Sequence, residues 1–408
     1  MQVLAQIIFW GCALALAHTY ILYPVIMRWL ARGKQTGQLV FAPDDAGLPF
    51  VSVLLSVHNE ERVIAEKIAS LQQLRYPSGK LRIYIGSDGS DDRTNAIITG
   101  SVSGYGAGAF RFFPFQERRG KPPVINDLAR KAMEDFSAEA AGSAPGNHCL
   151  LLTDASVMMQ PDTLYLLVRH FRNDRIGVVD AHMRNIGLRR EGISQSENRY
   201  LSGEVQLKHW ESLAWGMMIG PFGGCYALRA DLFEPVPPHS LVDDFWLVFR
   251  VLERGFSAIN DLEAICYEAA THRVKDEYRR KKRIAAGSFQ NLARFRRWVL
   301  PPVSRLGFAF FSHKVLRWFG GFFLLGLYFS CAVLAWENQI FRGLFWMIST
   351  ATAVILIIPF LLTRFSLKPW APVKNLAYFL AMNAALVDGF FKWWRGIREN
   401  TWNRTARE

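Results

Sequence analysis

The stretch VSVLLSVHNEERVIAEKIASLQQLRYPSGKLRIYIGSD, residues 51–88, decides the architecture. It opens on a β-rich apolar run, VSVLLSV, and turns polar at His58-Asn59-Glu60-Glu61. It then runs helically through EERVIAEKIASLQQL and returns to a second β-rich run, LRIYIGSD. Strand, helix, strand in succession predicts a right-handed crossover, and its repetition predicts a parallel sheet covered by helices on both faces. The pattern recurs at CLLLTDA (149–155) and PDTLYLLVRHF (161–171). In sheets of this kind the ligand lies at the carboxyl ends of the strands.

The acids fall at those ends. VSVLLSV ends in Glu60 and Glu61, LRIYIG ends in Ser87-Asp88-Gly89-Ser90-Asp91-Asp92, and CLLLT ends in Asp154-Ala155-Ser156. A further segment, LVDDFWLVFRVLERGF (241–256), sets Asp243 and Asp244 at the head of an amphipathic helix. One acidic turn is ordinarily a helix or turn cap, since a carboxylate there accepts from unpaired backbone N–H groups. Three in series, with the pair added, exceed what capping needs.

The rest of the chain frames this middle. Half of the 408 residues are hydrophobic, with 30 Phe and 13 Trp. The apolar residues cluster at the two ends. Val3–Met27 carries no formal charge over 25 residues, more than the roughly 20 a helix needs to cross a bilayer. It lacks a basic leader and a cleavage site, so it reads as an anchor. Residues 318–336 and 343–363 are two more uncharged stretches, joined by ENQIFR, and read as an antiparallel hairpin. The last apolar run, from Asn375, meets Asp388 after 13 residues and reads as an interfacial or re-entrant helix.

Arg28, Arg32 and Lys34 follow the first span, and Arg294, Arg296, Arg297, Arg305, Lys314 and Arg317 precede the second. Both sets put the middle of the chain on the cytoplasmic side of the inner membrane. The expected organisation is an anchor over 1–30, a cytosolic domain over 44–296, an interfacial segment over 297–317, a hairpin over 318–363, and a third membrane or interfacial helix with a basic tail over 375–408. The net charge of +13 is explained by anionic lipid headgroups beside these segments. No basic, aromatic-interleaved motif points to nucleic acid. The five cysteines, at 12, 149, 225, 266 and 331, have no paired spacing and imply neither zinc nor disulfides.

Six segments in order, VSVLLSVHNEE, IGSDGSDDRT, RRGKPPVIND, LLTDAS, VDDFWLVFRVLERGF and RRKKRIAAG, resemble the successive motifs of the family 2 glycosyltransferases. The match covers about residues 50–290, and the flanking apolar segments resemble the membrane-embedded branch of hyaluronan, cellulose and poly-N-acetylglucosamine synthases. The resemblance implies an α/β GT-A fold, Rossmann-like and nucleotide-sugar-binding, with flanking transmembrane helices. It implies a UDP-sugar donor, with Glu60 and Asp88 on the nucleotide's ribose and base, Lys121 near the donor, Arg283 in contact with the diphosphate, and Asp154 as the ligand of Mg²⁺ or Mn²⁺ and of the diphosphate. Hard oxygen donors suit either ion.

By the same carry-over Asp244, with Asp243 beside it, is the general base that deprotonates the acceptor hydroxyl, and Gly223, Gly224 and Cys225 in PFGGCYALR (221–229) lie on the acceptor side. The displacement would invert the anomeric centre. Cys225 itself reads as a small packing residue, without a partnering base.

Two departures stand out. The family's Asp-x-Asp is here Asp154-Ala155-Ser156, and a hydroxyl is a poorer cation ligand than a carboxylate. The Gln-Arg-x-Arg-Trp of processive synthases is here Arg280 to Ile284, without the Gln and without the aromatic face. The expectation is therefore transfer of one or a few sugars to a lipid-linked or oligosaccharide acceptor, among membrane lipids and with export or accessory subunits. A processive polysaccharide synthase and a catalytically idle scaffold are the alternatives.

Overall fold

A computed structural model describes residues 1–35, 39–103, 109–139, 147–187, 194–269, 274–364 and 371–397. The chain forms two compact units. One comprises residues 30–188, 201–270 and 397–408; the other comprises 1–29, 189–200 and 271–396.

The first unit is built on an eight-stranded sheet. Its strands are β1 (Phe50–Val57), β2 (Leu81–Asp88), β3 (Phe110–Phe115), β4 (His148–Thr153), β5 (Val157–Met159), β6 (Ile176–Ile186), β7 (Cys225–Arg229) and β8 (Ser257–Ala269), in the order β3-β2-β1-β4-β7-β6-β8-β5. The run β3-β2-β1-β4 is parallel, as the opening stretch predicts. The all-parallel expectation fails beyond it. β7 pairs antiparallel with both β4 and β6, and β5 pairs antiparallel with β8, which makes the sheet mixed. The reason lies in the connections. β7 follows the long helix Ser194–Trp215 and enters between β4 and β6 from the opposite end, and β5 is a three-residue edge strand laid against β8.

The central strands are buried on both faces, with β4 buried along its whole length. This explains why their sequences are continuous apolar runs without alternation. The helix Ile64–Gln72 turns Ile64, Ile68 and Leu71 into the core, and Lys67 with them.

The second unit is helical. Gln2–Leu30 (29 residues, mean hydropathy 1.5) and Gln339–Ile357 (19 residues, 1.8) are each long and apolar enough to cross a membrane. Arg305–Trp318 and Gly320–Leu334 form a pair bent by 62°, which would make a third span if counted as one. The helix Ala371–Trp394 packs against Val274–Arg294, where Asp388 accepts from Lys282 Nζ (3.0 Å) and Tyr278 Oη (2.9 Å). An added Cβ at Gly389 would lie 2.4 Å from Ala285 Cβ and 2.8 Å from the Lys282 carbonyl, so the two helices meet there. The Val274–Arg294 helix thus groups with the helical unit, where it finds its packing partner.

Candidate active site

The carboxyl ends of β1, β2 and β4 carry the predicted polar clusters, and each is tied down by hydrogen bonds. At β1, Asn59 takes a left-handed φ of 53° and exchanges bonds with Asp91: Nδ2 donates to Asp91 Oδ1 at 2.6 Å and Oδ1 accepts from Asp91 N at 3.0 Å. Glu60 N donates to Thr94 Oγ1 at 2.8 Å. At β2, Asp88 is 3% exposed and accepts from Arg119 N at 2.7 Å and Gly120 N at 2.8 Å. Both its oxygens therefore brace the loop that delivers Lys121, the first residue of the Lys121–Glu139 helix.

Lys121 is the hub of the acidic centre. Its Nζ donates to Asp154 Oδ1 at 2.9 Å and lies 3.4 Å from Asp243 Oδ2. Burial alone would lower its pKa, but Asp154 and Asp243 outweigh burial and hold the ammonium charged. Asp243 and Asp244 occupy the first turn of the helix Asp243–Glu253, where the N-terminal partial charge favours carboxylates. Asp244 keeps some exposed surface, yet its carboxyl lies deep among other atoms. Burial first, and then the neighbouring Asp243 charge, push its pKa up to about 7 against the opposing influence of Lys121 and Lys208. Capping and base chemistry are compatible here, since a base needs this raised proton affinity.

The loop before β7 joins the two ends of this centre. Gly223 has φ 80°, and a Cβ placed on it would fall 2.2 Å from Asp244 Oδ2. The next residue, Gly224, presents its carbonyl to Asp154 N (3.0 Å) and Thr153 Oγ1 (3.1 Å). Cys225 is buried with its thiol 3.5 Å from Met159 Sδ, in a packing position. Glu60, Asp88, Lys121, Asp154, Gly223, Gly224, Cys225, Asp243 and Asp244 all belong to this unit; Arg283 lies on Val274–Arg294 in the helical unit.

Four further groups, to which the motifs assign no role, shape the site. Lys67 is fully buried under the Asp154 turn, its Nζ donating to Thr153 Oγ1 at 2.8 Å and to the Val157 carbonyl at 2.6 Å. Tyr226 is 1% exposed; burial and then Asp243, Asp244, Asp154 and Asp180 raise its pKa well above the usual value, so the phenol stays protonated. A buried Lys208–Asp180 pair at 3.5 Å holds the loop before β7, since Asp180 also accepts from Phe222 N at 3.1 Å and Lys208 Nζ sits 4.1 Å over the Phe222 ring. Ser156 Oγ donates to Glu268 Oε1 at 3.0 Å.

Asp154, with a side chain 41% exposed, is the carboxylate of this group best placed to meet a cation. Among the described residues no three His, Cys, Asp or Glu side chains converge into a cation cage. That donor set fits Mg²⁺ or Mn²⁺, which are commonly bound through one or two carboxylates together with substrate phosphates and water.

Comparison with known proteins places the chain. The model of glycosyl transferase family 2 matches residues 52–233. That of glycosyl transferase family group 2 matches residues 150–387, more than half the chain. The chain belongs to the family 2 glycosyltransferases. Among curated relatives, this glycosyltransferase is 26% identical over 249 residues to the probable glycosyltransferase YdaM of Bacillus subtilis, covering 59% of this chain and 56% of that protein. It is 24% identical over 278 residues to the beta-monoglucosyldiacylglycerol synthase of Trichormus variabilis, covering 64% and 53%. The chain thus spans just over half the length of these relatives. Among solved structures it resembles the mannosyltransferase PcManGT of Pyrobaculum calidifontis, solved with GDP-Man and Mn²⁺, with a TM-score of 0.67, 20% identity, and coverage of 94% of this chain and 98% of that one. The GT-A fold expected from the motifs is the fold observed.

Proposed function

We propose that this glycosyltransferase is an inverting enzyme of the cytoplasmic face of the membrane. It moves one sugar, or a few, from a UDP-sugar to a lipid-linked or oligosaccharide acceptor. The observation that carries the reading is the single cluster formed by Lys121, Asp154, Asp243 and Asp244, with Gly223 against the carboxylate of Asp244. Asp244 receives the acceptor's proton as the oxygen attacks the anomeric carbon on the face opposite the diphosphate. Lys121 balances the charge that grows on the departing diphosphate. Asp154 would hold Mg²⁺ or Mn²⁺, which supplies Lewis-acid stabilisation of the same leaving group. Because the transition state resembles an oxocarbenium ion, alignment and charge matter more than a covalent intermediate.

A divalent metal and a nucleotide-sugar donor are supported by the mannosyltransferase of the same fold, which was solved with both. A lipid acceptor is supported by the relatedness to a glucosyldiacylglycerol synthase and by the apolar helices. Glu60 and Asp88 are assigned to the nucleotide side, Asp88 through the loop it braces. Arg283 is assigned to the diphosphate. Gly223, Gly224 and Cys225 form the acceptor-side loop.

The test is direct. Purified protein in lipid nanodiscs is given a panel of UDP-sugars and GDP-mannose with Mn²⁺, against diacylglycerol, polyprenyl phosphate and oligosaccharide acceptors, and the product size is measured. A discrete glycolipid or short oligosaccharide from a UDP-sugar is expected. Turnover with GDP-mannose alone would overturn the donor assignment, and high-molecular-weight product would overturn limited transfer.

A further inference from the structure

The cation side of the site has a gap in its chemistry. The family pattern provides two acids one residue apart, and here the second is Ser156. A lone carboxylate, already shared with Lys121 Nζ at 2.9 Å, is a weak holder of a divalent ion. The fold brings another acid to the same turn. β5 begins at Val157, directly after Ser156, and pairs antiparallel with β8 so that Val157 stands opposite Glu268. The backbone ladder therefore fixes Glu268 beside the turn. The Ser156 hydroxyl, donating to Glu268 Oε1 at 3.0 Å, orients the carboxylate. A carboxylate offers two oxygens and about four lone-pair sites, so accepting from a hydroxyl and binding a cation are compatible roles for one side chain.

The turn is held from below as well. Lys67 Nζ grips Thr153 Oγ1 and the Val157 carbonyl, the residues before and after Asp154-Ala155-Ser156. Asp154 N is anchored to the Gly224 carbonyl at 3.0 Å. Both acids thus sit on restrained backbone, on either side of a serine whose hydroxyl is committed to one of them.

We propose that Glu268, reaching across the β5–β8 pair, supplies the second carboxylate for the divalent cation at Asp154, with Ser156 acting as the positioning group that aims it. The proposal rests on the metal-dependent reading above, and deepens it by assigning a ligand from outside the motif. It explains how the chain tolerates serine where an acid is usual. The negative charge has moved to a neighbouring strand, and the hydroxyl has become its brace.

The experiment is Mn²⁺ binding to the full-length protein, followed by electron paramagnetic resonance of free Mn²⁺, with and without UDP. Glu268→Gln should weaken Mn²⁺ binding on the order of 10- to 100-fold, the range typical for loss of a group that supports a metal site. Ser156→Ala should weaken it less, and Glu268→Asp should fall between wild type and Glu268→Gln. In the Glu268→Gln background, Ser156→Asp should restore binding by returning the missing acid to the motif. Circular dichroism and thermal melting of each variant separate loss of affinity from loss of fold, and Glu268→Asp keeps the test open if the amide variant does not fold. If Glu268→Gln binds Mn²⁺ like wild type while Asp154→Ala does not bind, Glu268 is not a ligand and the functional reading stands. If Asp154→Ala also binds normally, the cation site of that reading falls with it. Failure of Ser156→Asp to rescue a folded Glu268→Gln protein would likewise overturn the proposal.

Discussion

Replacing Gly223 by alanine adds one methyl group at the point where the loop assigned to the acceptor meets Asp244, the proposed base. That methyl would lie 2.2 Å from Asp244 Oδ2, 2.8 Å from its Cγ and 3.3 Å from its Cβ. Relief to an ordinary contact requires a separation about 1 Å greater, and two adjustments are available. The backbone can leave φ 80°, where an L-residue costs about 1–2 kcal/mol, and this shifts the loop. Otherwise the Asp244 side chain swings away from the added methyl. Either route misplaces the base relative to the attacking hydroxyl by a distance that costs on the order of 10²-fold in rate.

Lys121 and Asp154 lie outside this clash, so metal-dependent nucleotide binding should be spared. The assay pairs initial rates of sugar transfer with calorimetric UDP–Mn²⁺ binding on the same preparation. A hundredfold fall in kcat, on the order expected for such a displacement, with unchanged nucleotide affinity, is the expected result. A Gly223→Ala enzyme with wild-type kcat would refute the placement of the reacting hydroxyl at Asp244.

Asp244→Asn should reduce transfer on the order of 10²- to 10⁴-fold while nucleotide binding persists; if Asp243→Asn abolishes turnover and Asp244→Asn does not, the base is the other residue. The pH dependence has a definite sign. The Asp244 carboxyl is raised from 3.8 to about 7, so transfer should rise with pH through about 7. The fold, which holds the extra proton, should lose stability as pH climbs through the same range, having kept that contribution in full below about 4. Thermal melts at pH 5 and pH 8 test this, and Asp244→Asn should flatten the difference. Lys67→Met leaves the Val157 carbonyl without its ammonium donor, and should lower stability by about 1–3 kcal/mol and weaken Mn²⁺-dependent UDP binding; calorimetry with unchanged metal affinity would confine Lys67 to packing. Gly389→Val wedges the Val274–Arg294 and Ala371–Trp394 helices apart and should cost about 1–3 kcal/mol, read as a lower melting temperature in detergent.

The parts of the fold that could be read in advance are those whose information is local. The runs that became β1, β2 and β4 are apolar throughout because both faces are covered, and each ends in a turn whose polar residues name it. Asp154 and Asp243 stand 89 positions apart, but each sits in a recognisable segment, as does the Lys121 that bridges them. Other features depend on partners that nothing nearby in the chain specifies. The antiparallel entry of β7 is fixed by where the Ser194–Trp215 helix ends, not by the composition of CYALR. Lys67 reads as one more charge on an amphipathic helix, and its burial follows from a carbonyl 90 residues away. Glu268 lies 112 residues from the serine that donates to it, in a strand with no motif. Asp88 was legible as an acid at a strand end, but its commitment to two backbone N–H groups of another loop was not.

The adjacent glycines Gly223 and Gly224 also bear on how this enzyme can be redesigned. One abuts the carboxylate assigned to the acceptor, and the other clasps the backbone of the residue assigned to the donor's cation. A library that varies Gly224 together with Gly223 to broaden acceptor choice will therefore disturb donor engagement in the same clones, and substitutions that are harmless singly should combine with strong epistasis, as expected for positions sharing partners. Selection for a new acceptor should reach further by varying surfaces remote from these two glycines and leaving them fixed.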